Sequence, residues 1–125
     1  MRFPLPFDVE LISVEETLEN INWYLEKVEE ANNLSEKNDK KTAMLMLREI
    51  NDRLKVEYNH YNKVSVRKRV KQENKQMFMD YSTEIRNAYV KQNKKTTYDY
   101  LPHNLYDVSS YLGYYKILVE SKYDK

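Results

Sequence analysis

Glu57 and His60 stand three residues apart, in the E-x-x-H spacing by which one helix of a bundle presents a carboxylate and an imidazole to an iron or manganese ion. A two-metal bundle needs a second such pair. His103, the other histidine, has Tyr100 three positions before it and Asn104 after it, so the pair reads as a glutamate beside a surface or interhelix hydrogen-bonding histidine, and no metal is expected. The acid pairs Glu15 with Glu16 and Glu29 with Glu30 suit a solvated helix face better than general acid–base work, because nothing around them separates their pKa values. With one glycine, Gly113, the chain can contain neither G-x-x-x-x-G-K-[ST] nor G-x-G-x-x-G. Neither histidine lies near anything like a nucleophile elbow. The expectation is a protein that is not an enzyme, with no catalytic residue and no cofactor.

Binding chemistry is better represented, in three places. Trp23 falls about 180° from the centre of the apolar stripe of its helix, on the arc that carries Glu16, Glu19, Glu26 and Glu30. A rigid aromatic on an acidic face is the kind of group that anchors a protein partner; the competing reading folds the Phe3–Phe7 arm over it, prolines against indole. Second, Tyr58 to Lys75 holds six basic residues and one acid. Lys63, Arg67, Lys68, Arg69, Lys71 and Lys75 could neutralise phosphates while Tyr58 and Tyr61 stack on unpaired bases. Against this, helical geometry spreads the cations around the axis, as on a solvated face. Third, the C-terminal tyrosines, Tyr111 and Tyr114 foremost, make a recognition surface or else core packing with hydroxyls at the rim.

The elements that must position these groups are helices. Residues 1–12 open with Phe-Pro-Leu-Pro-Phe, and proline biases its predecessor toward extended geometry, so an extended arm is expected. Ser13 to Glu16 reads S-x-x-E, a capping box that starts a helix at about Val14 and carries it to about 31 on the stripe Val14, Leu18, Ile21, Leu25 and Val28. A polar loop leads to a second helix over 40–61 with the stripe Ala43, Leu47, Ile50, Leu54, Tyr58 and Tyr61, widened at its start by Met44, Leu45 and Met46. The stripe Val66, Val70, Met77, Tyr81, Ile85 and Ala88 continues out of phase, so a break or kink at 62–65 separates a third helix over 65–92. The alternative, one helix over 40–92, would span ~75 Å, too long for a compact fold of this size.

A last helix over 102–120 carries Leu101, Leu105, Val108, Leu112, Tyr115 and Val119, with Pro102 in its first turn. Tyr111, Tyr114, Ile117 and Leu118 extend its apolar surface so far round that it is the candidate central helix, with Gly113 admitting a close neighbour. The fold class is all-α, a three- or four-helix bundle with an extended arm; the alternative is α+β, with 7–12 and 114–119 paired in a small sheet.

At 125 residues one domain is expected, and with 33% charged and 41% hydrophobic residues its balance is that of long amphipathic helices. Positive φ must be taken by asparagine wherever a turn needs it. The absence of cysteine rules out disulfides and thiolate chemistry and suits a reducing compartment. No signal peptide or membrane span is apparent, so a cytoplasmic location is expected. Charge is sorted along the chain: residues 1–36 hold two basic and nine acidic side chains, and 37–75 hold twelve and five. The leading expectation is a protein-binding protein of the style of phage or mobile-element accessory proteins and inhibitors of host defence complexes. A nucleic-acid-binding module using 58–75 is the second, and a self-assembling homo-oligomeric subunit the third.

Overall fold

Ser13 begins the first helix as its capping box predicts: its Oγ accepts from the Glu16 N–H at 3.1 Å and its carbonyl receives the Thr17 hydroxyl at 2.8 Å. The computed structural model describes residues 5–94 and 97–123. It comprises α1 (Val14–Glu36), α2 (Lys40–Tyr61), the short α3 (Val64–Arg67), a 3-10 turn at Gln72–Asn74, α4 (Lys75–Val90), a 3-10 turn at Tyr98–Tyr100, and α5 (Leu101–Lys122). The fold is all-α, a bundle of four long helices. Among the described residues there is no strand; residues 114–119, the proposed sheet partner of 7–12, lie inside α5.

Helix α1 runs past the expected end near 31 because its terminus has a full backbone cap. Asn38, at φ 69°, takes the left-handed conformation. That turn lets the Asp39 N–H reach the Leu34 carbonyl at 2.8 Å and the Asn38 N–H reach that of Ser35 at 3.1 Å, a Schellman closure. Asp39 then caps α2 by accepting from the Thr42 N–H at 3.3 Å, so two residues end one helix and start the next.

The expected helix over 65–92 is interrupted at 68–74. Lys71 adopts ψ 145°, and Val66 just before the break and Val70 within it are both buried in the core. Basic side chains close this corner: Arg67 Nε donates to the Tyr61 carbonyl at 3.1 Å, and Lys75 Nζ donates to the Arg67 carbonyl at 3.3 Å. The arm also departs from a purely extended path, turning at Asp8, whose carbonyl receives the Leu11 N–H at 3.0 Å. That turn sends Phe7, Val9 and Ile12 inward.

Phe7 stacks parallel on Tyr61 at 5.3 Å and meets Tyr81 edge-on at the same distance, within a ring cluster that extends to Phe78 and Tyr115. Helix α5 packs its predicted stripe, Leu101 to Val119, against α1 and α4, and every residue of that stripe is buried. It is not central. Tyr114, Ile117 and Leu118, expected to face further neighbours, are exposed, and among the described residues nothing approaches within 4 Å of a Cβ built on Gly113.

Two substitutions test these backbone assignments by urea denaturation at low protein concentration. Gly113→Ala is expected to stabilise the fold by about 0.5–1 kcal/mol, since a mid-helix glycine loses the most entropy and its site is open. Asn38→Val is expected to destabilise it by about 1–2 kcal/mol, the cost of a branched side chain in the left-handed region, and Asn38→Gly to leave it nearly unchanged.

Candidate partner-binding surfaces

Glu57 lies within the apolar stripe of α2, three residues after Leu54 and four before Tyr61, and only 1% of it is exposed. Its carboxylate accepts from Tyr81 Oη at 2.7 Å, from Asn20 Nδ2 at 2.8 Å and from Tyr24 Oη. Asn20 also donates to Tyr81 Oη and accepts from Arg53 Nη2. Arg53, one turn before Glu57, holds its Nε 3.8 Å from the carboxylate, an ion pair too long to be a hydrogen bond. The cluster ties α1, α2 and α4 together. Burial raises the Glu57 carboxyl above its ordinary value of 4.5, an effect that outweighs the hydrogen bonds from Tyr24 and Tyr81 and the field of Arg53. Burial first and the Glu57 charge second push the Tyr24 and Tyr81 hydroxyls up. His60 is half-buried, its ring on the edge of Tyr61, and burial followed by Lys63 and Arg69 lowers its pKa. Among the described residues, no three or more His, Cys, Asp and Glu side chains group closely enough to hold a metal ion.

This polar cluster rotates α1. Its buried side chains are Thr17, Asn20, Ile21, Tyr24, Val28 and Ala31, while Val14, Leu18 and Leu25 of the predicted stripe are half-buried. The core-facing side is therefore shifted by roughly 70° toward Trp23. Trp23 sits at the margin of the core and not opposite it. Its ring meets Tyr24 edge-on at 5.2 Å, the Arg53 guanidinium lies 4.2 Å over it, and Lys27 Nζ is 5.7 Å away. Pro6, Glu16, Glu19, Asn20 and Arg53 line a shallow cleft of about 230 Å3 beside it. Pro6 thus supplies one of the prolines expected near the indole; Phe3 and Pro4 lie outside the described residues. Glu19, Glu26 and Glu30 are exposed and Glu16 is half-buried.

In the basic segment, Lys63, Lys68, Arg69 and Lys71 are exposed, while Arg67 and Lys75 close the corner between α2 and α4. Tyr61 cannot stack on a base: its ring is buried among Phe7, Phe78 and Tyr81, because it ends the apolar stripe of α2. Tyr58, predicted for that stripe, is half-buried against Tyr89 at 5.8 Å; Glu57 takes the inward position. Ion pairs among the described residues join Arg53 to Glu57 and Arg69 to Glu10, at 3.9 Å in the latter case, and neither links the basic segment to the glutamates of α1.

The outer face of α5 has a different character. Tyr106, Ser110, Gly113, Tyr114 and Ile117 fall within an arc roughly 100° wide, opposite the buried stripe. Exposure reaches 69% at Tyr106, 62% at Tyr114, 65% at Ile117 and 40% at Leu118 on the flank. The arc contains no aspartate, glutamate, lysine or arginine. Leu118 and Tyr114 border a cleft of about 280 Å3 with Asp80, Thr83 and Glu84 of α4. Tyr111 is half-buried, with Lys91 Nζ 6.0 Å from its ring.

The sequence reading missed Glu57, Asn20, Tyr24 and Tyr81 as a unit. A signal existed, since a glutamate at a stripe position of α2 can be buried only if it is paired. No helix among the described residues is long and apolar enough to cross a membrane. Comparisons with protein-family models, curated proteins and solved structures gave no match.

Removing the carboxylate tests the cluster. Glu57→Ala, which leaves two tyrosines and an amide without their acceptor and the Arg53 guanidinium without its counter-charge, is expected to cost about 3–5 kcal/mol in urea denaturation; a loss below about 1 kcal/mol would deny the cluster its role. Because the folded carboxyl binds its proton more tightly than the unfolded one, its ionisation lowers stability as pH rises from 4.5 through the folded pKa. Glu57→Gln is expected to flatten that part of the stability–pH profile.

Proposed function

We propose that the protein works without catalysis, by binding another protein through the outer face of α5. The observation that supports this is the second apolar face of one helix. A helix that is apolar on both sides belongs in a buried setting, yet among the described residues only its inner side is covered. An uncharged strip with large tyrosine and aliphatic side chains at its centre and charges at its edge has the composition of an interface core. The nucleic-acid reading has less support, since Tyr61 is removed from the surface and Arg67 and Lys75 are engaged with backbone carbonyls. Trp23 has its ring occupied by Arg53 and Tyr24, so with Glu16 and Glu19 it forms a secondary surface.

A small chain of this kind suits an adaptor or an inhibitor of a larger complex, including the host systems that phage and mobile-element proteins oppose. The lack of cysteine fits work in the reducing cytoplasm.

Ile117→Asp and Tyr114→Asp test the proposal, because both side chains are exposed and their replacement should leave the helical circular dichroism and the melting temperature within a few degrees of the parent. Immobilised parent protein is expected to retain a defined protein partner from a lysate of the source organism, and both variants to lose it. Capture that is indifferent to both variants, or that consists of nucleic acid released by salt, would overturn the reading.

A further inference from the structure

We infer that the occupant of the outer face of α5 is a second copy of this chain, its α5 packed antiparallel across a two-fold axis between Tyr114 and Tyr115. The inference rests on the proposed binding face and names its partner. Three observations lead to it: the strip is uncharged, the charges along one of its edges are complementary when the helix is reversed on itself, and Gly113 meets no neighbour among the described residues.

A two-fold interface places the same patch on itself, so a charged patch would repel its own image. Between Tyr106 and Ile117 the exposed arc has no ionised side chain to repel. Orientation follows from the flanks. A parallel pair would leave Asp107 of one copy fifteen residues along the axis from Lys122 of the other, too far apart to meet. Reversing one helix about the position between 114 and 115 brings Asp107 of each copy to the level of Lys122 of the other, on the same flank.

The same register sets Tyr114 against Tyr114 near the axis and Leu118 against Tyr111. It also places Ile117 over Gly113, where the missing side chain leaves a hole for the isoleucine knob. Gly113 is the one glycine of the chain, stands in mid-helix at an energetic cost, and meets nothing within 4 Å of where a Cβ would be. A neighbour outside this chain gives it a purpose. Lys91, whose ammonium lies near the Tyr111 ring, is carried toward the Asp80 and Glu84 cleft of the other copy, since that cleft is lined by Leu118. One register thus satisfies the apolar centre and the charged flank that carries Asp107 and Lys122.

The area sets the strength. Taking about 200 Å2 for a tyrosine side chain, Tyr106 and Tyr114 together offer on the order of 250 Å2. The ~800 Å2 per partner of a standard interface is approached only when the flanks close as well, so the dimer is of the weak, reversible kind.

Sedimentation equilibrium of the full chain over roughly 1 µM to 1 mM tests this. The expected result is a monomer–dimer equilibrium. Ile117→Asp and Gly113→Leu should each weaken it at least tenfold while the circular dichroism stays unchanged. Asp107→Lys and Lys122→Asp should each weaken it, and the two together should restore it, because the exchanged charges again face one another. A dimer indifferent to Ile117 and Gly113, or a double variant no better than the single ones, would overturn the proposed packing. A strict monomer that still captures a different protein through Ile117 refutes the second copy and spares the binding face; a strict monomer that captures nothing refutes both.

Discussion

A single buried carboxylate organises the bundle. Glu57 stands where α1, α2 and α4 converge, and an ionised group there has no water to solvate it. Its oxygens are therefore met by the Asn20 amide and by the Tyr24 and Tyr81 hydroxyls, with Arg53 held behind Asn20. Hydrophobic packing alone would let α1 turn about its axis with little penalty, because its apolar residues form a broad face. The polar cluster removes that freedom: only one rotation of α1 delivers Asn20 and Tyr24 to Glu57. That rotation brings Trp23 to the edge of the core, where the same Arg53 covers its face. One carboxylate thereby sets both the register of three helices and the surroundings of the one tryptophan.

Around that cluster the rest is conventional burial. Phe7 of the arm closes one part of the core by stacking on Tyr61, and Tyr115 reaches across to the Met77 carbonyl at 2.8 Å. Of the basic residues of the middle segment, Arg67 and Lys75 act on the backbone of the corner they occupy. What remains for the exterior is uneven: α1 displays exposed glutamates, the corner displays Lys63, Lys68, Arg69 and Lys71, and the outer arc of α5 from Tyr106 to Ile117 displays tyrosines and an isoleucine with no charge among them. Charged faces are satisfied by water. The α5 face is the one for which solvent is a poor neighbour.

Much of this was legible in the residues. Spacing located the four long helices, the capping box marked the start of α1 at Val14, and the stripes of α4 and α5 are buried at every predicted position. The expectation that asparagine would take positive φ is met at Asn38. The misreadings share one cause, which is that apolar spacing weighs each helix alone and treats polar residues as outward-facing. Glu57, Asn20 and Thr17 are polar and buried, so the inner faces of α1 and α2 were displaced by a position or two, and with them Trp23 and Tyr58. The break at 68–74 was invisible for a related reason: Val66, Val70 and Met77 keep helical spacing even though the backbone between them is not helical.

The amino-acid sequence by itself determined the class of fold, the helical stripes and the absence of glycine loops and thiols, because these depend on residue type and short-range spacing. Only the tertiary structure decided which way α1 faces, that Tyr61 is interior, and that α5 lies on the outside with a second apolar face left uncovered. Each of those outcomes depends on which distant groups meet. Glu57 finds Asn20 across 37 residues and Tyr81 across 24, and such long-range pairings leave no periodic trace along the chain. An all-round apolar helix reads the same whether its own bundle or another molecule covers it; the packing of α1 and α4 against one side alone separates the two.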